Sequence, residues 1–178
     1  GKIYEGQMLL ARKGYVETMN AFAGSPVAPD ANGTLRITYG TVKGYRPAWY
    51  ASTYRPFTTV EEMLKKNTGQ PPFDVPDALV EAAKQRQGSR FESWSLGDIP
   101  VDFLSDLDIT GGNSGSATLN RKGELVGLVF DGNSEALASN WIFMPDITRA
   151  IHVDIRYVLW IMQDVDHADN LLQELGVK

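Results

Sequence analysis

The chain has 178 residues, a net charge of −5, 43% hydrophobic residues and no cysteine. An acidic balance without a basic block argues against nucleic acid as a partner, no apolar run reaches the roughly 18 residues of a membrane span, and the lack of cysteine excludes thiol catalysis and thiolate metal sites. The chain starts at Gly1 with neither an initiator methionine nor a signal peptide. We therefore expect it to be a piece of a longer protein.

The first segment, residues 2–22, predicts an amphipathic helix. Its apolar residues recur at helical spacing: Met8, Leu9, Ala11, Tyr15, Val16 and Met19. A stray N-terminal arm stays open as the alternative, because Gly14 weakens the helical pattern. Gly24-Ser25-Pro26 is expected to end the helix.

The next segment, residues 34–45, alternates apolar and polar residues and predicts a half-buried strand. The aromatic-rich stretch from Tyr45 to Arg55 is a candidate continuation of the sheet. Two short helices are predicted after it. The first starts at Thr58 or Thr59, either of which is a good helix cap with acidic residues in the following turn. The second covers Val75 to Lys84.

Further strand candidates lead into a glycine-rich loop. Residues 91–96 and 101–104 are short strand candidates, and the loop that follows reads Gly111-Gly112-Asn113-Ser114-Gly115-Ser116. Behind the loop the sequence predicts a hairpin. Its strands are Ser116–Leu119 and Glu124–Phe130, joined by a turn in which Gly123 takes positive φ.

A serine between glycines predicts nucleophilic chemistry at Ser114. A serine hydroxyl needs a base to remove its proton and donors to hold the oxyanion that forms. The backbone N–H groups of Gly112 and Ser114 are the candidate donors, while glycine at 112 and 115 permits the tight loop. The motif alone is permissive, so a plain Gly/Ser turn between strands stays open. The elbow of α/β-hydrolases does not fit, because Ser116 stands where its last glycine would be.

The tail predicts two helical segments. The first, capped by Asp154, places Ile155, Val158, Leu159 and Met162 on one face, and a last turn or two ends at Gly176. The histidines of the chain are His152 and His167. We assign neither as a catalytic base, because isolated histidines are usually structural or solvated. No ligand spacing supports a metal site.

Several of these segments together resemble the C-terminal part of bacterial dipeptidyl-peptidases of the dipeptidyl-peptidase VII family. The matching stretches are Pro29-Asp30-Ala31-Asn32 with Thr34 and Arg36, Thr38-Tyr39-Gly40, Val42-Lys43-Gly44-Tyr45, Asp108 to Ser116, Gly123-Glu124-Leu125, Phe130-Asp131-Gly132-Asn133, and Val153 to Leu159. The resemblance implies a mainly β fold, α+β by content. It would be a chymotrypsin-like second β-barrel over residues 25–178, with a C-terminal helix. Residues 1–24 would be the last helix of an inserted helical domain.

The resemblance also implies the function. The family consists of serine exopeptidases that need no cofactor, act as homodimers on peptides with a free N-terminus, and are periplasmic or secreted. The histidine and aspartate of the triad would lie upstream, in a first barrel outside this chain, so the chain alone would be inactive. Two departures, Ala117 and Ser134, stand where the family usually has proline and tryptophan, and both flank the site.

The resemblance places substrate binding on Phe130-Asp131-Gly132-Asn133. Asp131 would hold the free α-ammonium of the substrate, although an exposed Asp-Gly turn is the alternative. Gly132 predicts a hydrophobic residue at P1, the substrate position before the cut, because the family branch that selects acidic residues has arginine there. Asp108 has the offset of a trypsin-like specificity carboxylate, but we expect it to accept hydrogen bonds from the active-site loop.

The competing hypothesis from another functional class is a non-catalytic module. Such a module would keep a protease-like barrel and a groove that only binds peptides, because a fold does not fix a function. A histidine and an aspartate in a barrel-like context upstream would decide between the two.

Overall fold

The computed structural model describes residues 2–24, 35, 37–139 and 142–177. It divides into two compact units, residues 1–36 and 37–178. The first unit contains helix α1, Lys2–Ala23, which confirms the predicted N-terminal helix. Gly24 follows it with φ 65°, in the left-handed region that commonly ends helices. None of the helices among the described residues is long and apolar enough to cross a membrane.

The second unit is built on a five-stranded antiparallel sheet with the order β1-β2-β5-β4-β3. The strands are β1 Phe57–Thr59, β2 Pro100–Ser105, β3 Ala117–Leu119, β4 Leu125–Gly132 and β5 Ala150–Asp154. Strands β3 and β4 form the predicted hairpin, and Gly123 in its turn has φ 80°. The predicted 101–104 strand is confirmed within β2.

The central strand β5 was missed by sequence analysis. Its burial alternates so that Ala150, His152 and Asp154 are buried while Ile151 and Val153 are half-buried. Two of the three fully inward positions are therefore polar, which inverts the pattern that marks a strand in sequence. The polar side chains are tolerated because each has partners: Ser105 and Thr118 for His152, and Arg156 for Asp154.

Short helices pack at one end of the sheet and enclose the hydrophobic core. They are α2 Val60–Lys65, α3 Asp77–Lys84, α4 Ile155–Trp160 and α5 Asp169–Glu174, with a π-helical turn, Ile161–Val165, between the last two. The buried core residues are Val60, Leu79, Ala83, Phe91, Ile99, Val101 and Trp160. Helices α2 to α5 occur where the sequence predicted them.

Side-chain caps start two of these helices, as predicted. Thr59 accepts a hydrogen bond from the Glu62 backbone while the Glu62 carboxylate accepts one from the Thr59 backbone, which is a capping box. Asp154 accepts from the Arg156 backbone at 2.9 Å and also pairs with the Arg156 side chain. Gly176, with φ 69°, follows α5.

Three strand predictions are wrong or fall partly outside the described residues. Residues 37–45 form no strand and pair with the rest of the chain through isolated bridges, Val42 with Ser105 and Tyr45 with Tyr54; residues 34 and 36 lie outside the described residues. The stretch 46–55 forms bends and turns, and residues 91–96 form turns around the isolated bridge Ser93–Asp98. Alternation predicts a strand only where a neighbouring strand supplies a continuous ladder.

By content the described residues are α+β, as expected, but they contain more helix than strand, so the expectation of a mainly β fold is wrong for this part of the chain. The predicted domain boundary after residue 24 lies inside the first compact unit, and residues 25–34 are not described. That boundary stays a prediction.

Candidate active site

The loop that carries Ser114 connects β2 to β3 and is held against β4. Gly115 donates to the Val129 carbonyl at 2.7 Å, and Val129 donates to the Ser116 carbonyl at 3.0 Å. Gly112 and Gly115 have φ of 100° and 83°, so both occupy the left-handed region where other residues are strained. The predicted requirement for glycine at these two positions is confirmed, and the side chain of Ser114 is exposed.

The backbone amides of this loop fall into two groups. Those of Thr110, Asn113, Gly115 and Ser116 donate hydrogen bonds within the loop or to β4. Within the described ranges, by contrast, the amides of Gly111, Gly112 and Ser114 donate to no other group. The two amides expected to bind an oxyanion are thus unoccupied, as that role requires.

A pocket of about 260 Å³ opens beside Ser114. It is lined by Ile109, Thr110, Gly111, Asn113, Ser114, Val129, Phe130, Asp131, Gly132, Asn133, Ala136, Leu137 and Ser139. All four residues to which the sequence assigned substrate binding are among them. Asp131 is the one charged side chain among the described lining residues, and no lysine or arginine is present there.

Strand β4 extends two residues beyond its predicted end, and this extension places Asp131 and Gly132 at the pocket. Asp131 pairs with Ile151 and Gly132 with Ala150, after a register shift between Val129 and Asp131. Such bulges redirect side chains beside functional sites. Asp131 is exposed, and its Oδ1 accepts from the Gly132 backbone at 2.8 Å.

Asn133 lies at the pocket, but its side-chain amide is engaged by the main chain. Its Nδ2 donates to the Ile147 carbonyl at 2.7 Å, and its Oδ1 accepts from the Arg149 backbone at 2.8 Å. Its own backbone N–H donates to the Arg149 carbonyl at 2.9 Å. In this arrangement Asn133 fixes the end of β4, and the proposed contact with substrate stays a prediction.

Arg149, which sequence analysis did not single out, anchors this corner of the molecule. Its side chain is fully buried, and its guanidinium donates to the carbonyls of Lys43, Gly44, Pro145, Asp146 and Thr148 at 2.6–3.2 Å. It thereby ties segment 43–44 to the turn before β5. Removing such a buried cation would leave several carbonyls without a donor, at about 1–3 kcal/mol each.

One wall of the pocket is formed by a 3₁₀ helix, Ser134–Ala138, through Ala136 and Leu137. Tyr45 donates its hydroxyl proton to Glu135 Oε2 at 3.1 Å, and its ring stacks on Tyr54 with centroids 5.0 Å apart. Burial raises the pKa of Tyr45, so the hydroxyl remains a donor at neutral pH. The contact holds the 3₁₀ helix against the segment that Arg149 fixes.

Neither histidine contacts Ser114. His152 is fully buried, with Nε2 2.6 Å from Ser105 Oγ and Nδ1 2.8 Å from Thr118 Oγ1, and its ring stacks on Phe103. Burial lowers the pKa of His152 to about 4. Both ring nitrogens are engaged, so His152 is not available as a base. His167 is exposed, and its Nδ1 lies 3.2 Å from the Gln163 carbonyl oxygen.

Asp108 does not make the hydrogen bonds that were expected of it within the loop. No described residue donates to Asp108, which does not line the pocket, and burial raises its pKa. Instead Asn113 Oδ1 accepts from the Thr110 backbone at 2.8 Å. Asp106 accepts from Thr41 at 2.6 Å, and this backbone hydrogen bond lowers its pKa. The prediction that Asp108 braces the loop is wrong. In the described ranges, no group of three or more His, Asp or Glu residues could hold a metal ion.

Comparison with known proteins identifies relatives over nearly the whole chain. The sequence profile of the family described as Peptidase S46 matches residues 2–177. An Asp/Glu-specific dipeptidyl-peptidase of Shewanella putrefaciens is 44% identical over 99% of this chain. A dipeptidyl-peptidase 7 of Phocaeicola vulgatus is 40% identical over 96%. The chain spans about a quarter of the length of each relative, 27% and 24% respectively.

The fold has close counterparts among solved structures. Porphyromonas endodontalis DPP11 in complex with the dipeptide Arg-Asp superposes with a TM-score of 0.83 at 35% identity, covering 93% of this chain and 24% of that one. The complex of the same protein with Arg-Glu gives a TM-score of 0.84. The sheet and helices described above therefore recur in a solved dipeptide complex.

Proposed function

Because the chain belongs to the peptidase S46 family, we propose that its parent protein is a serine dipeptidyl-peptidase that releases dipeptides from the free N-termini of peptides. The observation that carries this proposal is the arrangement at Ser114. Among the described residues, an exposed hydroxyl, two amides at Gly112 and Ser114 without a hydrogen-bond acceptor, and a pocket lined by one carboxylate lie together.

In the proposed reaction the Ser114 hydroxyl oxygen attacks the carbonyl carbon of the second residue. A base takes the hydroxyl proton, the amides of Gly112 and Ser114 donate to the oxyanion, and the amine of the remaining peptide leaves with a proton. Water then hydrolyses the acyl-enzyme. We place the histidine and aspartate that supply the base outside this chain, in a first barrel of a chymotrypsin-like architecture. The present sheet would belong to the second barrel, and no cofactor takes part.

Asp131 is the proposed anchor for the substrate's α-ammonium. A dipeptidyl-peptidase must recognise a charged amine two residues before the cut, and a carboxylate does so by a charge-assisted hydrogen bond. Asp131 is exposed in the pocket, and the backbone hydrogen bond from Gly132 to its Oδ1 orients it. Phe130 and Asn133 complete the proposed substrate-binding stretch.

We further propose a hydrophobic residue at P1. The relatives carry both names, Asp/Glu-specific and dipeptidyl-peptidase 7, at 44% and 40% identity, so similarity alone favours neither specificity. The pocket favours an apolar side chain, because Gly132 offers no cation and no described lining residue is basic. An acidic side chain would lose its hydration there without gaining a partner.

The remaining proposals concern the parent protein. It would act on peptides as a homodimer in the periplasm or outside the cell, and residues 1–24 would be the end of an inserted helical domain preceding the barrel at 25–178. These follow from the resemblance to the family.

A panel of dipeptidyl-coumarin substrates tests the function and the P1 preference on the full-length protein. We expect a higher kcat/KM for leucine, methionine, phenylalanine or tyrosine at P1 than for aspartate or glutamate. The reverse order would overturn the hydrophobic preference while leaving the dipeptidyl-peptidase activity in place. Binding of the panel without any hydrolysis would favour the non-catalytic module.

A further inference from the structure

The 3₁₀ helix Ser134–Ala138 passes so close to Gly132 that no side chain fits between them. A Cβ atom added at Gly132 would lie 2.9 Å from Ala136 Cβ, closer than two real Cβ atoms approach. The φ of Gly132 is not in the left-handed region, so the requirement for glycine there comes from packing. A methyl group has no rotamer through which to retreat, so either the 3₁₀ helix or β4 would have to move.

The 3₁₀ helix is tied to the rest of the fold in its N-terminal half, up to Ala136, which makes that movement costly. Glu135 accepts from the Tyr45 hydroxyl at 3.1 Å. At the N-terminal end, Ala136 donates to the Asn133 carbonyl at 2.9 Å, and the Asn133 amide is itself bound to the main chain of Ile147 and Arg149. The contact between Ala136 and Gly132 is therefore part of a fixed wall.

We infer that Ala136 is a specificity-determining residue: its methyl group forms the wall over Gly132, limits the size of the P1 side chain, and keeps position 132 free of any side chain. This inference rests on the proposed function and deepens it. Both residues line the pocket beside Ser114. A change of one or two methyl groups at position 136 therefore alters the space for substrate directly.

Variants of the full-length protein at position 136 test the inference. Ala136→Val should lower kcat/KM for P1 phenylalanine relative to P1 alanine by about tenfold or more, since each methylene in an apolar pocket changes discrimination by at least that factor. Ala136→Gly should shift the ratio the other way. Ala138→Val is the matched control, because Ala138 lies in the same helix but is exposed and does not line the pocket. Ratios within about twofold of wild type in both position-136 variants would overturn the inference, since such a change is well below that factor.

The contact with position 132 gives a second readout that does not depend on P1 preference. Gly132→Ala should lower Tm by about 2 °C or more, and adding Ala136→Gly should recover at least half of the loss. Purely additive Tm changes would contradict the steric coupling. Likewise, Gly132→Arg should increase kcat/KM for acidic P1 residues more when combined with Ala136→Gly than alone. A wild-type protein that releases no dipeptides would refute the proposed function, whereas an active protein with unshifted ratios refutes only this inference.

Discussion

At the scale of single residues, the loop around Ser114 contains some backbone amides that hold its shape and others that are available to bind the proposed oxyanion. The amides of Asn113, Gly115 and Ser116 brace the loop, while those of Gly112 and Ser114 donate to no described residue. Glycines with positive φ at 112 and 115 make this division possible, because the chain reverses direction around Ser114 without strain. Donors fixed in this way need no reorganisation when negative charge develops.

Asp131→Ala in the full-length protein tests the amine anchor. The variant should lose turnover of dipeptidyl substrates with a free amine far more than turnover of N-blocked ones, because a charge-assisted hydrogen bond contributes about 1.5–3 kcal/mol. That energy corresponds to a fall of roughly 10- to 150-fold in kcat/KM. Asp74→Ala is a suitable control, since Asp74 is exposed and outside the pocket. Equal losses on free and blocked substrates would exclude Asp131 as the anchor.

At the scale of elements, the sheet is organised around β5, which contributes polar groups to the interior. His152 is stacked on Phe103 and bonded at both nitrogens, and Asp154 is paired with Arg156. Asp102 on the neighbouring strand β2 lies near Asp154. Burial, with the charge of Asp154 adding to it and that of Lys66 opposing it, raises the pKa of Asp102 to about 6. The free energy of unfolding should therefore depend on pH through Asp102 and His152, and the two titrations should have opposite effects on it.

The two titrations change the free energy of unfolding in opposite directions, because burial keeps His152 neutral by removing its proton and keeps Asp102 neutral by retaining its proton. The pKa of His152 falls from 6.5 to about 4 on folding, so the unfolded chain gains a proton first and stability is lost as pH falls from about 6.5 to 4. The pKa of Asp102 rises from 3.8 to about 6. The folded chain therefore gains that proton first, and stability is gained as pH falls from about 6 to 4.

Asp102→Asn should expose the contribution of His152. Without the opposing titration, the free energy of unfolding should fall with decreasing pH between 6 and 4 more steeply than in wild type, with a slope approaching about 1.4 kcal/mol per pH unit. Urea unfolding of the chain at several pH values in this range measures it. Asp74→Asn serves as the control, because Asp74 is exposed and forms no ion pair with any described residue. Parallel profiles for wild type and Asp102→Asn would show that the two titrations do not offset each other.

At the scale of the whole molecule, the proposed nucleophile Ser114 lines a pocket, and among the described residues no base is hydrogen-bonded to it. Its relatives are about four times as long, since the chain spans 27% and 24% of two of them. We predict that the 178-residue chain alone is inactive and that activity requires the proposed first barrel. Removing the base of a serine nucleophile leaves only a small residual rate from oxyanion stabilisation and binding.

Fluorophosphonate labelling measures this prediction directly. The full-length protein should label rapidly and stoichiometrically at Ser114, its Ser114→Ala variant should not, and the isolated chain should label far more slowly than the full-length protein. Rapid stoichiometric labelling of the isolated chain would contradict the prediction and would mean that this chain contains its own base.

The sequence by itself determined the features whose causes lie within a few residues. The helix cap, which the structure places at Thr59, the hairpin turn at Gly123 and the glycines around Ser114 follow from local backbone requirements and are all present. The helices were equally readable, because apolar spacing and caps are local signals.

Only the tertiary structure decided where polar groups could be buried. Sequence analysis did not predict strand β5, because its inward residues include the polar His152 and Asp154. The partners of His152, Ser105 and Thr118, lie on or next to other strands, and the periodicity of the sequence does not show them. Arg149 bonds to Lys43, 106 residues away, and Ala136 restricts Gly132 through a contact that needs the 3₁₀ helix in place. A buried polar side chain is stable only when distant donors and acceptors reach it. The wall of the pocket is therefore a property of the folded chain, while the loop that presents Ser114 was already specified by its glycines.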